Sequence, residues 1–277
     1  MLLSTSGLTK EFGGITAVND VEFTLEEGEL CSVIGPNGAG KTTFFNLLTG
    51  VLEPTDGTIE FAPSDQPADG ADENGVIDIT DAPPHETALL GLHRSYQITN
   101  VFPTLSVLEN VRIAVQAHRG SDSWRFWRNV HAFDDHFAEA EAILERIGLD
   151  HYADRPAQNL SHGEKRNLEI GIALAGEPDL LLLDEPTAGV SSEDVSQVTE
   201  IIEDVATDHA IMLIEHNMDV VMGISDRVVV LNQGELIADG EPAEIRESEA
   251  VQRAYLGGYE EGASDADEPG NAGVTAG

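Results

Sequence analysis

The string GPNGAGKTT, residues 35–43, restricts what this chain can fold into more than any other stretch. It fits G-x-x-x-x-G-K-[ST], and its flanks have the character that pattern requires: the apolar run LCSVI before it reads as a strand and KTTFFNLLTG after it as a helix. A strand that breaks into glycines and restarts as a helix opens an α/β unit with a loop wrapped around an anion. Gly35, Gly38 and Gly40 let backbone N–H groups turn inward around β- and γ-phosphate oxygens, Lys41 adds a point charge and Thr42 offers a hydroxyl to Mg²⁺. Pro36, Asn37, Ala39 and Thr43 complete the contact loop.

Two further apolar runs end in chemistry. In DLLLLDEPTAG, residues 179–189, the leucines read as a strand buried on both faces, whose end carries Asp184 and Glu185 toward the ligand crevice. Asp184 then suits Mg²⁺, directly or at one remove, and Glu185 suits orienting and polarising an attacking water. After AIMLI, residues 210–214, come Glu215 and His216. A histidine ending a strand is more often structural, but neighbouring parallel strands deliver their C-terminal ends to one crevice. There His216 is expected to hydrogen-bond the γ-phosphate and to hold the water and Glu185 in register.

Charge narrows the partners. Fifty-one acids against 14 bases give a formal net charge of −37, and the only lysines are Lys10, Lys41 and Lys165. A surface this acidic repels itself at low salt. It also argues against nucleic acid, because neutralising phosphates takes clustered lysine and arginine. The usage is similar to that of cytoplasmic proteins from extreme halophiles. A disordered acidic chain is excluded by a hydrophobic content of 41% that falls in periodic blocks. No run approaches the roughly 18 apolar residues of a membrane span, and MLLSTSGLTK is too short and polar for a signal peptide, so a soluble intracellular protein is expected. Cys31, the single cysteine, sits inside LCSVI and reads as a small buried hydrophobe. Residues 62–75, APSDQPADGADENG, read as an acidic loop inserted between the strands TIEF and VIDIT, and 258–277 as a disordered acidic tail.

Taken as a set, GPNGAGKTT, Gln97 in RSYQ, LSHGE, LLLLDEPTAG and IEHNM stand in the order and approximate spacing of an ABC-transporter ATP-binding subunit, a resemblance covering about residues 1–258. It implies an α/β P-loop ATPase core of ABC type, a small antiparallel β-subdomain at the start and an inserted α-helical subdomain over about 98–174, all one domain over 1–257. It also implies ATP and Mg²⁺ as cofactors. By this likeness Phe12, in LTKEFGGITAV, stacks on adenine, an ordinary core aromatic being the competing reading. Gln97 contacts Mg²⁺ or the water and moves with the state of the permease.

In NLSHGEKRNLEIG, Ser161, Gly163 and Glu164 match the family signature, usually Leu-Ser-Gly-Gly-Gln, with His162 and Glu164 as departures. Ser161 and the amides of a helix N-terminus make an anion site. Ser161 followed three residues later by Glu164 is also a capping box, and the two readings hold together. The family's arrangement is a head-to-tail dimer in which each signature closes on the partner's ATP. Ser191, where the family commonly has an acid or amide, carries no assigned role.

Four strings, FGGITAVNDV, ITDAPPHETALLGLHRSYQ, FDDHFAEAEAILERIGL and VQRAYLGG, are similar to the branched-chain amino-acid importer ATPases, while LSHGEKRNLEIG also resembles the urea-importer ATPases. The implied partners are transmembrane permease subunits, a second ATP-binding subunit and an extracytoplasmic substrate-binding protein. The chain itself is then peripheral, on the cytoplasmic face of the cell membrane. HRGSDSWRFWRNVH, residues 118–131, is a basic and aromatic patch on an acidic chain and reads either as helical packing or as contact with the permease or anionic lipid. The competing class is a soluble ABC-type ATPase such as an iron–sulfur assembly factor, which GEKRN resembles.

Overall fold

The computed structural model describes residues 1–64, 71–72, 75–95, 101–118 and 134–261, with the backbone alone at 134 and 256–261. Strands β1 (Leu3–Phe12) and β2 (Ile15–Leu25) pair antiparallel across a glycine turn in which Gly13 takes φ 61°. After β3 (Leu30–Ile34), the strands β4 (Asp56–Phe61) and β5 (Ile77–Asp78) join them in an antiparallel sheet of order β2-β1-β4-β5. The β4–β5 pairing is the one expected on either side of the acidic insertion, of which residues 65–70 and 73–74 lie outside the described residues.

The second sheet holds β3 together with β6 (Leu92–Ser95), β7 (Leu180–Asp184), β8 (Ala210–Ile214), β9 (Arg227–Asn232) and β10 (Glu235–Gly240), in the order β10-β9-β3-β8-β7-β6. It is parallel except for the β9–β10 hairpin. Every residue of β3, β7 and β8 is buried, which is why these strands are continuous apolar runs with no polar face. Leu180, Leu182 and Met212 point into a core shared with the antiparallel sheet and with α1 (Lys41–Leu48), where Phe23 and Phe44 meet edge to face. Cys31 lies in that core, and burial pushes its thiol pKa up, so it behaves as the small hydrophobe its context indicates.

Leu181, Leu183, Ile211 and Leu213 point the other way, onto a helical layer. After α2 (Pro84–Leu89), that layer is built from α3 (Val107–His118), α4 (Asp134–Arg146), α5 (His162–Leu174) and α6 (Ser192–Val205). In α3 the apolar stripe is Val107, Val111 and Val115, one residue per turn. Each buried leucine of β7 contributes roughly 1.5–3 kcal/mol of transfer free energy, so the strand that ends in Asp184 and Glu185 is firmly anchored. Helices α7 (Met218–Ile224), α8 (Pro242–Glu247) and α9 (Glu249–Glu261) close a third cluster over Ile34, Val228 and Val230. The helical backbone of α9 reaches into the segment read as a tail, and residues 262–277 lie outside the described residues. Among the described residues no helix is long and apolar enough to cross a membrane.

Candidate active site

The strand register decides what meets at the end of the parallel sheet. Val33 of β3 and Asp184 of β7 both stand opposite Ile214 of β8, so the residues that follow emerge at one edge. A cleft of about 210 Å³ opens there, lined by Ala17, Asn37, Gly38, Ala39, Gly40, Lys41, Thr42, Thr43, Glu185 and His216. The glycine-rich loop is pressed against its neighbours. A Cβ on Gly35 (φ 151°) would lie 2.0 Å from the Leu231 carbonyl oxygen, and one on Gly40 (φ 105°) would lie 2.3 Å from that of Ala17. Gly40 caps α1 without any side-chain acceptor, and no acidic residue stands in the first turn. The first N–H groups of α1 therefore face the cleft as an anion site. Lys41 is 6% exposed and donates to the carbonyls of Gly35 (2.7 Å) and Pro36 (3.1 Å). Burial lowers its pKa, and Glu185 and Asp184 oppose that shift.

Glu185 holds φ 50°, an uncommon conformation for a residue with a side chain and a strain of order 1–3 kcal/mol. Its N–H donates to the Ile214 carbonyl at 2.8 Å, and its Oε1 shares a hydrogen bond of 2.9 Å with His216 Nε2. Glu185 and His216, which the sequence sends to one crevice, thus form one hydrogen-bonded pair at the cleft. Asp184 is engaged by groups that sequence did not suggest. Arg94 Nη2 donates to its Oδ2 at 2.6 Å, both side chains being almost fully buried, while Arg94 Nη1 donates to Asn46 Oδ1 at 2.6 Å.

Phe12 is 46% exposed at the end of β1, with the Lys10 ammonium 5.3 Å from its ring centroid. An exposed ring is free to stack on a planar ligand, and the core-aromatic alternative does not hold. Gln97 and residues 119–131 of the basic patch lie outside the described residues.

At the start of α5 the capping box forms: Ser161 Oγ accepts from the Glu164 N–H at 3.2 Å, and Glu164 Oε2 accepts from the Ser161 N–H at 2.6 Å. Burial pushes the Glu164 carboxyl pKa up, but bonds from the Ser161 N–H and the Tyr152 hydroxyl outweigh it and hold the carboxyl below its usual range. Gly163 is buried beside this cap. Further along α5, Arg166 reaches the β7 exit, donating to the carbonyls of Asp184 (2.5 Å) and Pro186 (3.3 Å) and to Glu169 Oε2 (2.7 Å). A second cavity of about 230 Å³, lined by His162, Lys165, Arg166, Glu169, Glu185, Ala188 and Val190, lies between α5 and that turn. Glu185 therefore stands between the phosphate cleft and the signature helix. Ser191 is the N-cap of α6, accepting from the Asp194 N–H at 3.2 Å.

A strand-loop-helix anion site, a carboxylate–histidine pair at its edge and a capped Ser-x-Gly helix tied to the same strand form a combination with a known home. The ABC transporter family profile matches residues 18–188. The chain belongs to the ABC transporter family. A second profile, that of the branched-chain amino acid ATP-binding cassette transporter, matches residues 235–261. The chain is similar to LivG of Escherichia coli K12, a high-affinity branched-chain amino acid transport ATP-binding protein, at 41% identity over 264 residues, covering 92% of this chain and 98% of LivG. It is 38% identical to BraF of Pseudomonas aeruginosa, which has the same description, covering 92% of this chain and 98% of BraF. Its fold matches the ADP conformation of MJ1267, an ATP-binding cassette of an ABC transporter, with a TM-score of 0.76 at 29% identity, covering 92% of this chain and 98% of that one. As an ABC ATPase the protein binds nucleotide and hydrolyses ATP.

Arg94, Arg166, Thr187 and Glu215 also bond around the ABC ATPase site, and no sequence motif assigns them a role there. Arg94 lies only three positions before Gln97, and Arg166 one turn into the signature helix, so proximity to a motif was the available signal. Glu215 was visible as the neighbour of His216, but its partner Thr187 lies on another strand exit, where it donates to Glu215 Oε1 from both N–H and hydroxyl.

Proposed function

We propose that this ABC ATPase powers an importer of branched-chain amino acids, working as a head-to-tail pair of ATP-binding subunits beneath separate permease subunits. The hydrogen-bonded Glu185–His216 pair at the edge of the phosphate cleft carries the hydrolytic half of this reading. The amides of residues 38–43 and the Lys41 ammonium hold the β- and γ-phosphates, and the exposed ring of Phe12 stacks on adenine. Thr42 and Asp184, with Gln97, would hold Mg²⁺, and the ion would supply charge neutralisation to the phosphate oxygens. The donor set suits that ion: hydroxyl, amide and carboxylate oxygens. Glu185 accepts a proton from the water whose oxygen attacks the γ-phosphorus, and the bond to the bridging oxygen breaks to give ADP and phosphate. His216 holds Glu185 and the γ-phosphate in register.

The choice of substrate rests on the profile match over residues 235–261 and on the printed descriptions of LivG and BraF. A urea or other amide importer is the second reading, favoured by the string LSHGEKRNLEIG alone. Ser161 and Gly163 close on the ATP of the partner subunit, and Arg166 carries the movement of α5 to the carbonyl of Asp184. The permease subunits and an extracytoplasmic binding protein complete the system, with this chain on the cytoplasmic face of the membrane.

Replacing Glu185 by Gln tests the hydrolytic half. The amide keeps the hydrogen bond to His216 yet accepts no proton, so ATP binding persists while turnover falls about 10²-fold or more. In molar KCl the variant collects as an ATP-dependent dimer on size exclusion. Turnover equal to that of the wild type removes Glu185 from the mechanism.

A further inference from the structure

We propose that Glu215 is a positioning residue of the hydrolytic site: its buried carboxylate ties the turn after β7 to the turn after β8 and so sets Glu185 against His216. The inference rests on the roles proposed for that pair. Glu215 is 3% exposed, and each of its oxygens serves a different partner turn. Oε1 accepts from the Thr187 N–H at 2.8 Å and the Thr187 hydroxyl at 2.6 Å. Oε2 accepts from the N–H groups of His216 at 3.0 Å and Asn217 at 3.2 Å.

The location explains why a side chain does this work. The β7–β8 ladder ends at Asp184 opposite Ile214, and the Glu185 N–H to Ile214 carbonyl bond follows it directly. Past that point the two chains turn apart, one toward Thr187 and the other into α7, and the Glu215 carboxylate continues the connection. Glu185 at φ 50° needs such support, because a strained backbone persists only where its surroundings over-determine it. All four partners are neutral donors, so the carboxylate is used as a charged acceptor twice over. An amide of the same shape fails in one half, turning its NH₂ toward donors. Aspartate is a methylene shorter and reaches only one turn.

The test uses the full chain in molar KCl. Glu215→Gln is expected to lower kcat about tenfold or more. Affinity for a fluorescent ATP analogue stays within about twofold, since no bond links Glu215 to the phosphate loop. Thr187→Val removes only the hydroxyl donor; it lowers kcat by a smaller factor and adds little further loss when combined with Glu215→Gln, because the tie is already broken. Wild-type kcat for Glu215→Gln overturns the proposal. So does a loss of kcat that runs parallel to losses of ATP affinity and melting temperature, which marks a merely structural carboxylate, or full additivity in the double variant. If Glu215→Gln does not fold, Thr187→Val decides alone: reduced kcat at unchanged ATP affinity supports the tie, and unchanged kcat rejects it. Glu185→Gln and His216→Ala are measured alongside. If both turn over like the wild type, the catalytic pair is wrong; if both are impaired while Glu215→Gln is normal, only the positioning role falls.

Discussion

Replacing Arg94 by Met deletes a cation from the floor of the site while keeping a side chain that packs on Phe45, over whose ring the guanidinium now sits at 5.7 Å. Arg94 and Asp184 meet at 2.6 Å with side chains 5% and 6% exposed, so water does not compensate for a lost partner. Breaking a buried pair by removing one member costs about 3–5 kcal/mol, because the remaining charge stays desolvated. At about 2 °C per kcal/mol for a chain of this size, the melting temperature falls by roughly 6–10 °C. Urea unfolding at fixed molar KCl reads the same loss as a lower midpoint at unchanged slope. Mg-ATP is expected to restore more stability to Arg94→Met than it adds to the wild type, since the divalent cation proposed at Asp184 would replace the missing charge. Arg94→Lys is intermediate: a point charge reaches Asp184 but does not also fork to Asn46. A loss below about 1 kcal/mol in Arg94→Met refutes the reasoning, because exposed ion pairs have that value and buried ones do not.

Stability rises steeply with salt, because a net charge of −37 repels across the surface and screening shortens from about 10 Å at 0.1 M to about 3 Å at 1 M. A melting temperature higher by about 10 °C or more in 3 M than in 0.1 M KCl is expected, and equal melting curves reject the halophile-like reading of the composition. The signature cap is acid-sensitive. Hydrogen bonds hold the Glu164 carboxyl below its unfolded pKa, so its contribution is present above that value and is lost as pH falls through the folded one. Glu164→Ala therefore melts about 2 °C below the wild type at neutral pH, and the difference closes as pH falls through the lowered folded pKa of the carboxyl. A constant difference across that range contradicts the assignment.

What could be read from the sequence was whatever is local in the chain. The glycine loop, the capping box of Ser161 and Glu164 and the apolar strands LCSVI, LLLLD and AIMLI announce themselves because turn chemistry, caps and two-sided burial act over a few neighbouring residues. The meeting of Glu185 with His216 needed one inference beyond that, the convergence of parallel strand ends. The hydrogen bonds around them were not legible. Arg94 meets Asp184 across 90 residues and Thr187 meets Glu215 across 28, and both depend on which strands are neighbours. Nothing in HRSYQ separates an arginine that faces solvent from one that faces a buried aspartate. The N-cap role of Ser191 is legible in SSED, which carries the same cap pattern as Ser161 and Glu164.

The central claim is that ATP is hydrolysed between the phosphate loop of one chain and the signature of another, and cross-linking between differently tagged chains tests it most directly. Asn37, at the phosphate cleft, and His162, in the second cavity, are both exposed, whereas Cys31 is buried and is replaced by Ala to clear the background. In a Glu185→Gln background, chains carrying Asn37→Cys alone are mixed with chains carrying His162→Cys alone, and a short bismaleimide is added with and without Mg-ATP. The account predicts covalent dimers between the two kinds of chain that form with Mg-ATP, far exceeding those between chains of one kind. ATP affinity of each variant is measured first, so that a silent result on chains that bind ATP normally counts against the claim. Equal cross-linking of like and unlike chains, or mixed dimers that form equally well without nucleotide, contradicts it.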